Sequence, residues 1–223
     1  MKKEDTALQS REIKLEAPVV KRKPVYDITK RLFDIVCSLL ALIVLSPLLI
    51  ACAVKIKKED GGPAIFVQER LGKNGKPFKM YKFRTMCVGA ENMLSDLMDQ
   101  NELDGPAFKI KKDPRITKFG VKLRKNSLDE LPQLINILNG TMSIVGPRPP
   151  LPNEVAQYNE YQRHRLDVVP GLTCYWQCSG RNNITFDQWM EMDMQYIRER
   201  SMITDIKLII KTIIPVLKGI GAW

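Results

Sequence analysis

The 223 residues contain a single histidine, His164. A histidine-based acid–base centre would have to use that residue, so proton transfer falls more naturally to carboxylates. Aromatic residues make up 7% of the chain and no RNA-binding signature accompanies them, which argues against nucleic acid as a partner. The five cysteines, at 37, 52, 87, 174 and 178, are odd in number and scattered. That usage excludes a disulfide framework and indicates a reducing compartment. Cys174, Cys178 and His164 supply too few ligands for a zinc site. Internal repeats, low-complexity tracts and a cleavable signal peptide are likewise missing.

Acidic residues are in deficit. Against 35 Lys and Arg stand 25 Asp and Glu, a formal charge of +10. The surplus suggests an anionic partner, either a membrane surface or a phosphorylated substrate. Residues 1–20 are polar and aperiodic and read as a mobile arm. A basic flank follows, then residues 35–54, twenty positions without a charge, closed by Lys55, Lys57 and Lys58. As a straight helix such a run covers about 30 Å, the thickness of a bilayer's hydrocarbon.

Two features argue against a simple crossing. Ser46-Pro47 lies past its middle, where proline removes a backbone bond, and Ser46 could bond the carbonyl so freed. Both flanks are basic, and basic residues prefer the cytoplasmic side. A segment that enters, bends at Ser46-Pro47 and returns satisfies both; a kinked single span is the alternative. Asp34 favours a shallow position.

After Gly61-Gly62 the pattern predicts strands over 64–70 and 78–86, joined through Asn74-Gly75, a hairpin signal. That hairpin would present a basic face carrying Lys82 and Arg84. Helices are expected over 91–100, 116–124, 154–168 and 186–200, with a brief strand at 142–145. The last segment, 203–217, is a basic amphipathic helix suited either to a bilayer interface or to docking on the protein's own core. The fold class is α+β, mostly helical: one membrane-associated domain over 61–223, preceded by the arm and the membrane segment at 21–60.

Between Arg124 and Arg148 two adjacent carboxylates, Asp129 and Glu130, lie between cations. Such an arrangement suits chemistry on phosphate, the cations holding its oxygens while a carboxylate attacks or binds metal. The same residues admit a plainer reading, since Ser127-x-x-Glu130 matches a helix capping box. Pro132 has to fall in the first turn of the helix that follows. Arg148 sits between Pro147 and Pro149-Pro150, which restrict its backbone and aim its side chain.

Lys30-Arg31-Leu-Phe-Asp34, Ser46-Pro47, Tyr81-Lys82-Phe83-Arg84-Thr85-Met86, Asp113-Pro114-Arg115, Ser127-Leu-Asp129-Glu130-Leu-Pro-Gln and Gly146-Pro-Arg148-Pro occur in that order. Pro170-Gly171-Leu-Thr and Trp176-Gln177-x-Ser179-Gly180-Arg181-Asn182 follow. Together, over residues 25–223, they resemble the bacterial sugar transferases, the monotopic polyprenyl-phosphate phosphoglycosyl transferases. The resemblance implies transfer of a sugar phosphate from a UDP-sugar to undecaprenyl phosphate, with release of UMP, at the cytoplasmic leaflet of the cell membrane. It implies a helix-break-helix membrane segment bent at Ser46-Pro47 and interfacial helices, and leaves a homodimer open. Asp129 would be the nucleophile, and Glu130 would help it bind Mg²⁺. Arg124, Arg148 and Lys82 match phosphate-contacting positions, with Arg84 beside Lys82; Arg181 and Asp193 fall in the nucleotide-sugar region. Cys174 and Cys178 depart from the family's usual residues where the sugar is recognised. A non-catalytic, membrane-anchored protein that binds anionic lipid or a partner is the reading from another class.

Overall fold

Proline at its first position, where the fixed φ suits a first turn, and a left-handed glycine at its end bound one long helix, α1 (Pro24–Asp60). Gly61 has φ 75° and its N–H returns to the Lys57 carbonyl at 3.0 Å. The computed structural model describes residues 20–93, 95–100, 110, 113–178 and 184–218. All of the arm expected over 1–20 except Val20 lies outside them.

The expected helix-break-helix is one uninterrupted helix that runs through Pro47. Proline lacks the N–H that the Ile43 carbonyl would accept, and Ser46 Oγ donates to that carbonyl instead, at 2.8 Å. The lost bond is replaced locally, so the chain has no need to leave the helix.

One face of α1 stays on the protein from end to end. Tyr26 and Lys30 reach Asp205 at 2.9 and 2.7 Å. Arg31 donates to the carbonyls of Ile137 and Leu138, and Asp34 accepts from the Ile144 N–H at 3.0 Å. Ala41 and Leu42 pack on Met80, Leu134 and Ile137; Cys52 and Ile56 pack on Phe83 and Leu123. The other face carries Val25, Ile28, Leu32, Leu40, Ile43, Val44 and Ile50, each more than half exposed. An apolar face this long marks a surface that something apolar covers.

Strands β1 (Ile65–Leu71) and β2 (Pro77–Phe83) pair antiparallel, from Ile65 opposite Phe83 to Leu71 opposite Pro77. Asn74 and Gly75 take φ 58° and 70°, the positive values that a tight hairpin turn requires. The alternation in β1 is inverted: Val67 points outward while Arg70 is buried.

Two 3₁₀ turns, Ala90–Met93 and Ser95–Gln100, stand where one helix was expected. Helix α2 (Lys118–Lys125) begins at Thr117, whose hydroxyl accepts from the Gly120 N–H at 2.9 Å. A 3₁₀ turn, Leu128–Glu130, leads into α3 (Gln133–Leu138). Strand β3 (Ser143–Val145) pairs in parallel with β4 (Gly171–Thr173), a strand the sequence pattern did not reveal. Between them α4 (Pro152–Val155), α5 (Glu160–Arg163) and a 3₁₀ turn at His164–Asp167 replace one expected helix. Asn159 and Gln162 form a capping box there, which starts a new helix where the old one would continue. Helices α6 (Tyr175–Cys178), α7 (Phe186–Glu199) and α8 (Met202–Lys218) complete the described chain. Helix α8 does both things the sequence allowed. It buries Asp205 and Leu208 against the protein and exposes Ile203, Ile206, Ile210 and Ile213.

Asn136 on α3 fastens the two halves of this frame. Its Oδ1 accepts from the Tyr81 N–H at 3.0 Å and its Nδ2 donates to the Lys79 carbonyl at 2.7 Å. The carboxamide thus acts as a short third strand along β2. Asn136→Leu keeps the volume and strips both backbone groups of their partner. We expect a loss of about 2–6 kcal/mol, at 1–3 per orphaned group, read as a lower melting temperature by calorimetry.

Candidate active site

Ser127 is not a helix cap. It has φ 53°, one of two non-glycine residues with positive φ among the described residues, and its side chain makes no capping bond. Its N–H closes α2 by donating to the Arg124 carbonyl at 2.9 Å. The left-handed step that follows sends residues 128–130 into the 3₁₀ turn. A serine held there costs roughly 1–3 kcal/mol, strain of the kind kept where a structure positions functional groups.

That turn presents Asp129 and Glu130, both half-buried, to β2. Glu130 accepts from Lys82 Nζ at 3.2 Å. Burial and then the Glu130 carboxylate raise the Asp129 carboxyl above its ordinary value, while Lys82 and Arg124 oppose the rise. Arg124, held by Nε to the Thr85 hydroxyl at 3.0 Å, is itself lowered by burial and supported chiefly by Asp129. Burial also lowers Lys82. Glu130 counters that most strongly, and Arg148 and Arg70 add to it.

Arg70 escaped the sequence reading. Burial and the Arg148 guanidinium push it down to about 9. Its Nη1 donates to the Pro149 carbonyl at 2.9 Å and its Nε and Nη2 to Gln68 Oε1. Its signal was the inverted alternation of β1, polar residues at 68 and 70 on the face that apolar ones should occupy. Three cations lowered by burial, two of them, Lys82 and Arg70, also by Arg148, define a site that an anion would stabilise.

The Arg148 loop is tied through its carbonyls. Pro147 O accepts from the Gly171 N–H at 2.9 Å and Arg148 O from Arg165 Nη2 at 3.0 Å. Pro149 O takes Arg70, and Pro150 O takes the Leu71 N–H at 3.0 Å. Four successive carbonyls each have a donor, so the backbone beneath the Arg148 side chain is fixed by more than its prolines.

The structure therefore brings together Asp129, Glu130, Lys82, Arg124 and Arg148. It removes Arg84 from this group: that guanidinium binds both oxygens of Asp60 and the carbonyls of Pro63 and Met86, tying the end of α1 to β2. Asp193 is also not where it was expected. It is fully buried, 2.7 Å from Arg165. Arg181 lies outside the described residues. His164 pairs with Asp167 at 2.7 Å on a partly exposed turn. Cys174 is core, and Cys178 Sγ lies 3.1 Å from Thr212 Oγ1.

Residues 25–219 match the family described as bacterial sugar transferase. The chain belongs to the bacterial sugar transferase family. This bacterial sugar transferase is 50% identical over 196 residues to the galactosyl transferase CpsE of Streptococcus agalactiae, covering 87% of the chain and 43% of that protein. It is 43% identical over 198 residues to the undecaprenyl-phosphate galactose phosphotransferase of Salmonella typhimurium, covering 87% and 41%. The exopolysaccharide production protein ExoY of Sinorhizobium fredii is 40% identical over 205 residues, at 90% and 91% coverage. The chain thus spans less than half the length of the first two and nearly all of the third.

The donor set fits a hard cation. Asp129 and Glu130 offer carboxylate oxygens, and no cluster of three or more Asp, Glu, His or Cys is found among the described residues. Mg²⁺ commonly takes only one or two carboxylates and completes its shell with water and substrate phosphate.

Proposed function

We propose that this bacterial sugar transferase moves a sugar 1-phosphate from a UDP-sugar to undecaprenyl phosphate and releases UMP. The observation that carries the reading is the Asp129–Glu130 pair set among Lys82, Arg124 and Arg148, of which burial lowers Lys82 and Arg124 until an anion arrives. A carboxylate oxygen of Asp129 attacks the sugar-bearing phosphorus; the phosphoanhydride bond breaks and UMP departs with its electrons. An oxygen of undecaprenyl phosphate then attacks the same phosphorus and frees Asp129. The cations hold the phosphate oxygens and stabilise the charge on the departing UMP. Mg²⁺, when bound, would be held by Asp129 and Glu130 and would neutralise diphosphate charge. The product starts assembly of a membrane glycan, in keeping with the exopolysaccharide role in the name of one relative.

The lipid substrate requires a site at the membrane plane. Helix α1 keeps contact with one body at residues 26–34 and again at 52–60. Both ends therefore belong on one side of the bilayer, with the apolar outer face in lipid, and the basic flanks favour the cytoplasmic side for them. A helix crossing the bilayer would have to surrender one set of those contacts.

The names of relatives direct the test to galactose and glucose donors. With undecaprenyl phosphate and Mg²⁺, UMP release is expected from UDP-galactose or UDP-glucose, with N-acetylated UDP-sugars run in parallel. No release from any donor would leave a binding protein in place of an enzyme.

A further inference from the structure

Beneath the active-site loop lies a charge pair that the transfer chemistry does not itself use. Arg165 is 2% exposed and Asp193 is 0%. The two are 2.7 Å apart. Arg165 Nη1 donates to the Tyr158 hydroxyl at 2.6 Å, and its guanidinium lies over the rings of Tyr158 and Trp189, 5.5 and 5.0 Å from their centroids. Its Nη2 donates to the Arg148 carbonyl at 3.0 Å. Burying an ion pair gives little net stability, and apolar side chains of the same volume often do as well. A pair kept under this loop therefore calls for a role in geometry. The guanidinium fork supplies one. One rigid fork reaches the Asp193 carboxylate on α7, the Tyr158 hydroxyl and the Arg148 carbonyl, which an ammonium cannot do.

We propose that Arg165, held by Asp193, is a positioning residue that aims the Arg148 guanidinium at the donor's phosphates. The role rests on the reading of Arg148 as a phosphate-binding residue. Of the four tied carbonyls in that loop, two are held by buried guanidiniums, Pro149 O by Arg70 and Arg148 O by Arg165, and the second belongs to the aimed residue itself. The Arg148 charge in turn supports the ionised Asp193, whose carboxyl burial pushes up to about 6 against the pull of Arg165.

The test is a double-mutant cycle on the full chain, with UMP release followed against donor concentration. Arg165→Lys keeps a charge opposite Asp193 and loses the fork. A displacement of about 1 Å at Arg148 is enough for roughly a 10²-fold loss, expected here as a higher donor KM with kcat largely retained. In an Arg148→Ala background the same substitution should add less than about threefold, because it acts through a side chain no longer present. Tyr158→Phe, which keeps the ring and drops the 2.6 Å bond, should show the same dependence more weakly, and serves if Arg165→Lys fails to fold. Losses that multiply across the cycle, or a lower active fraction at unchanged KM, would overturn the positioning role and leave the enzyme assignment standing. A wild-type chain that releases no UMP from any donor overturns both.

Discussion

In the Asp129→Asn variant, UMP release falls by about 10⁴-fold or more, the scale of losing an attacking group. Asparagine keeps the shape, so the 3₁₀ turn and the chain's recovery from membranes are unaffected. The carboxamide cannot form the mixed phosphate anhydride. The same substitution removes one negative charge from a site where Lys82, Arg148 and Arg70 already crowd one another. Donor binding measured without Mg²⁺ should then hold or tighten while kcat collapses, the signature of an interaction made only in the transition state. A labelled phosphosugar adduct, trapped on the wild type with donor alone, should be missing from the variant. Undiminished turnover would remove Asp129 from the role.

The acid limb of the wild-type profile follows from the same environment. Burial and Glu130 raise the Asp129 carboxyl, so the nucleophile becomes ionised above the usual carboxylate range and activity rises with pH through that region. Lys82 opposes the rise, and Lys82→Met takes that opposition away. The limb should move to higher pH as well as losing amplitude. A limb that moves down, or stays fixed, would separate Lys82 from Asp129.

Much of this was legible in the sequence, where chemistry and local geometry speak through neighbouring residues. The hairpin was announced by Asn74-Gly75, and the repair of α1 at Pro47 by the serine before it. Asp129, Glu130, Lys82, Arg124 and Arg148 stood out as candidates because each has a chemical reason to be near the others. The failures have one physical source. Ser127 matched a capping box, but a cap needs extended backbone, and the turn closing α2 imposes φ 53°. Arg84 alternates with Lys82 in sequence, yet an acidic helix end at Asp60 claims it. Arg165 and Asp193 lie 28 positions apart in a mixed-charge stretch, and only the packing of α7 beneath the 147–150 loop makes them partners. Pairing across such separations leaves no local trace. The strand at 171–173 stayed hidden likewise, because three residues paired in parallel carry no usable period.

A second large effect is expected at Gly171, from the same pairing. A Cβ placed there would stand 2.0 Å from the Gly146 nitrogen and 2.5 Å from the Val145 carbonyl carbon. Both are backbone atoms of the partner strand, so no side chain can turn aside. Gly171→Ala must therefore part β3 from β4 and release the bond from the Gly171 N–H to the Pro147 carbonyl. Overpacking alone costs about 1–3 kcal/mol, and the parted strands also carry the loop that aims Arg148. Both stability and kcat/KM should fall, by several degrees in melting temperature and by at least tenfold. Gly75→Ala supplies the contrast. That glycine has φ +70° but nothing within 4 Å of an added Cβ, so only backbone strain of about 1–2 kcal/mol is at stake. It should lower the melting temperature slightly and leave kcat/KM unchanged. If Gly171→Ala behaved like Gly75→Ala, the close crossing of β3 and β4 would not be what holds the Arg148 loop in place.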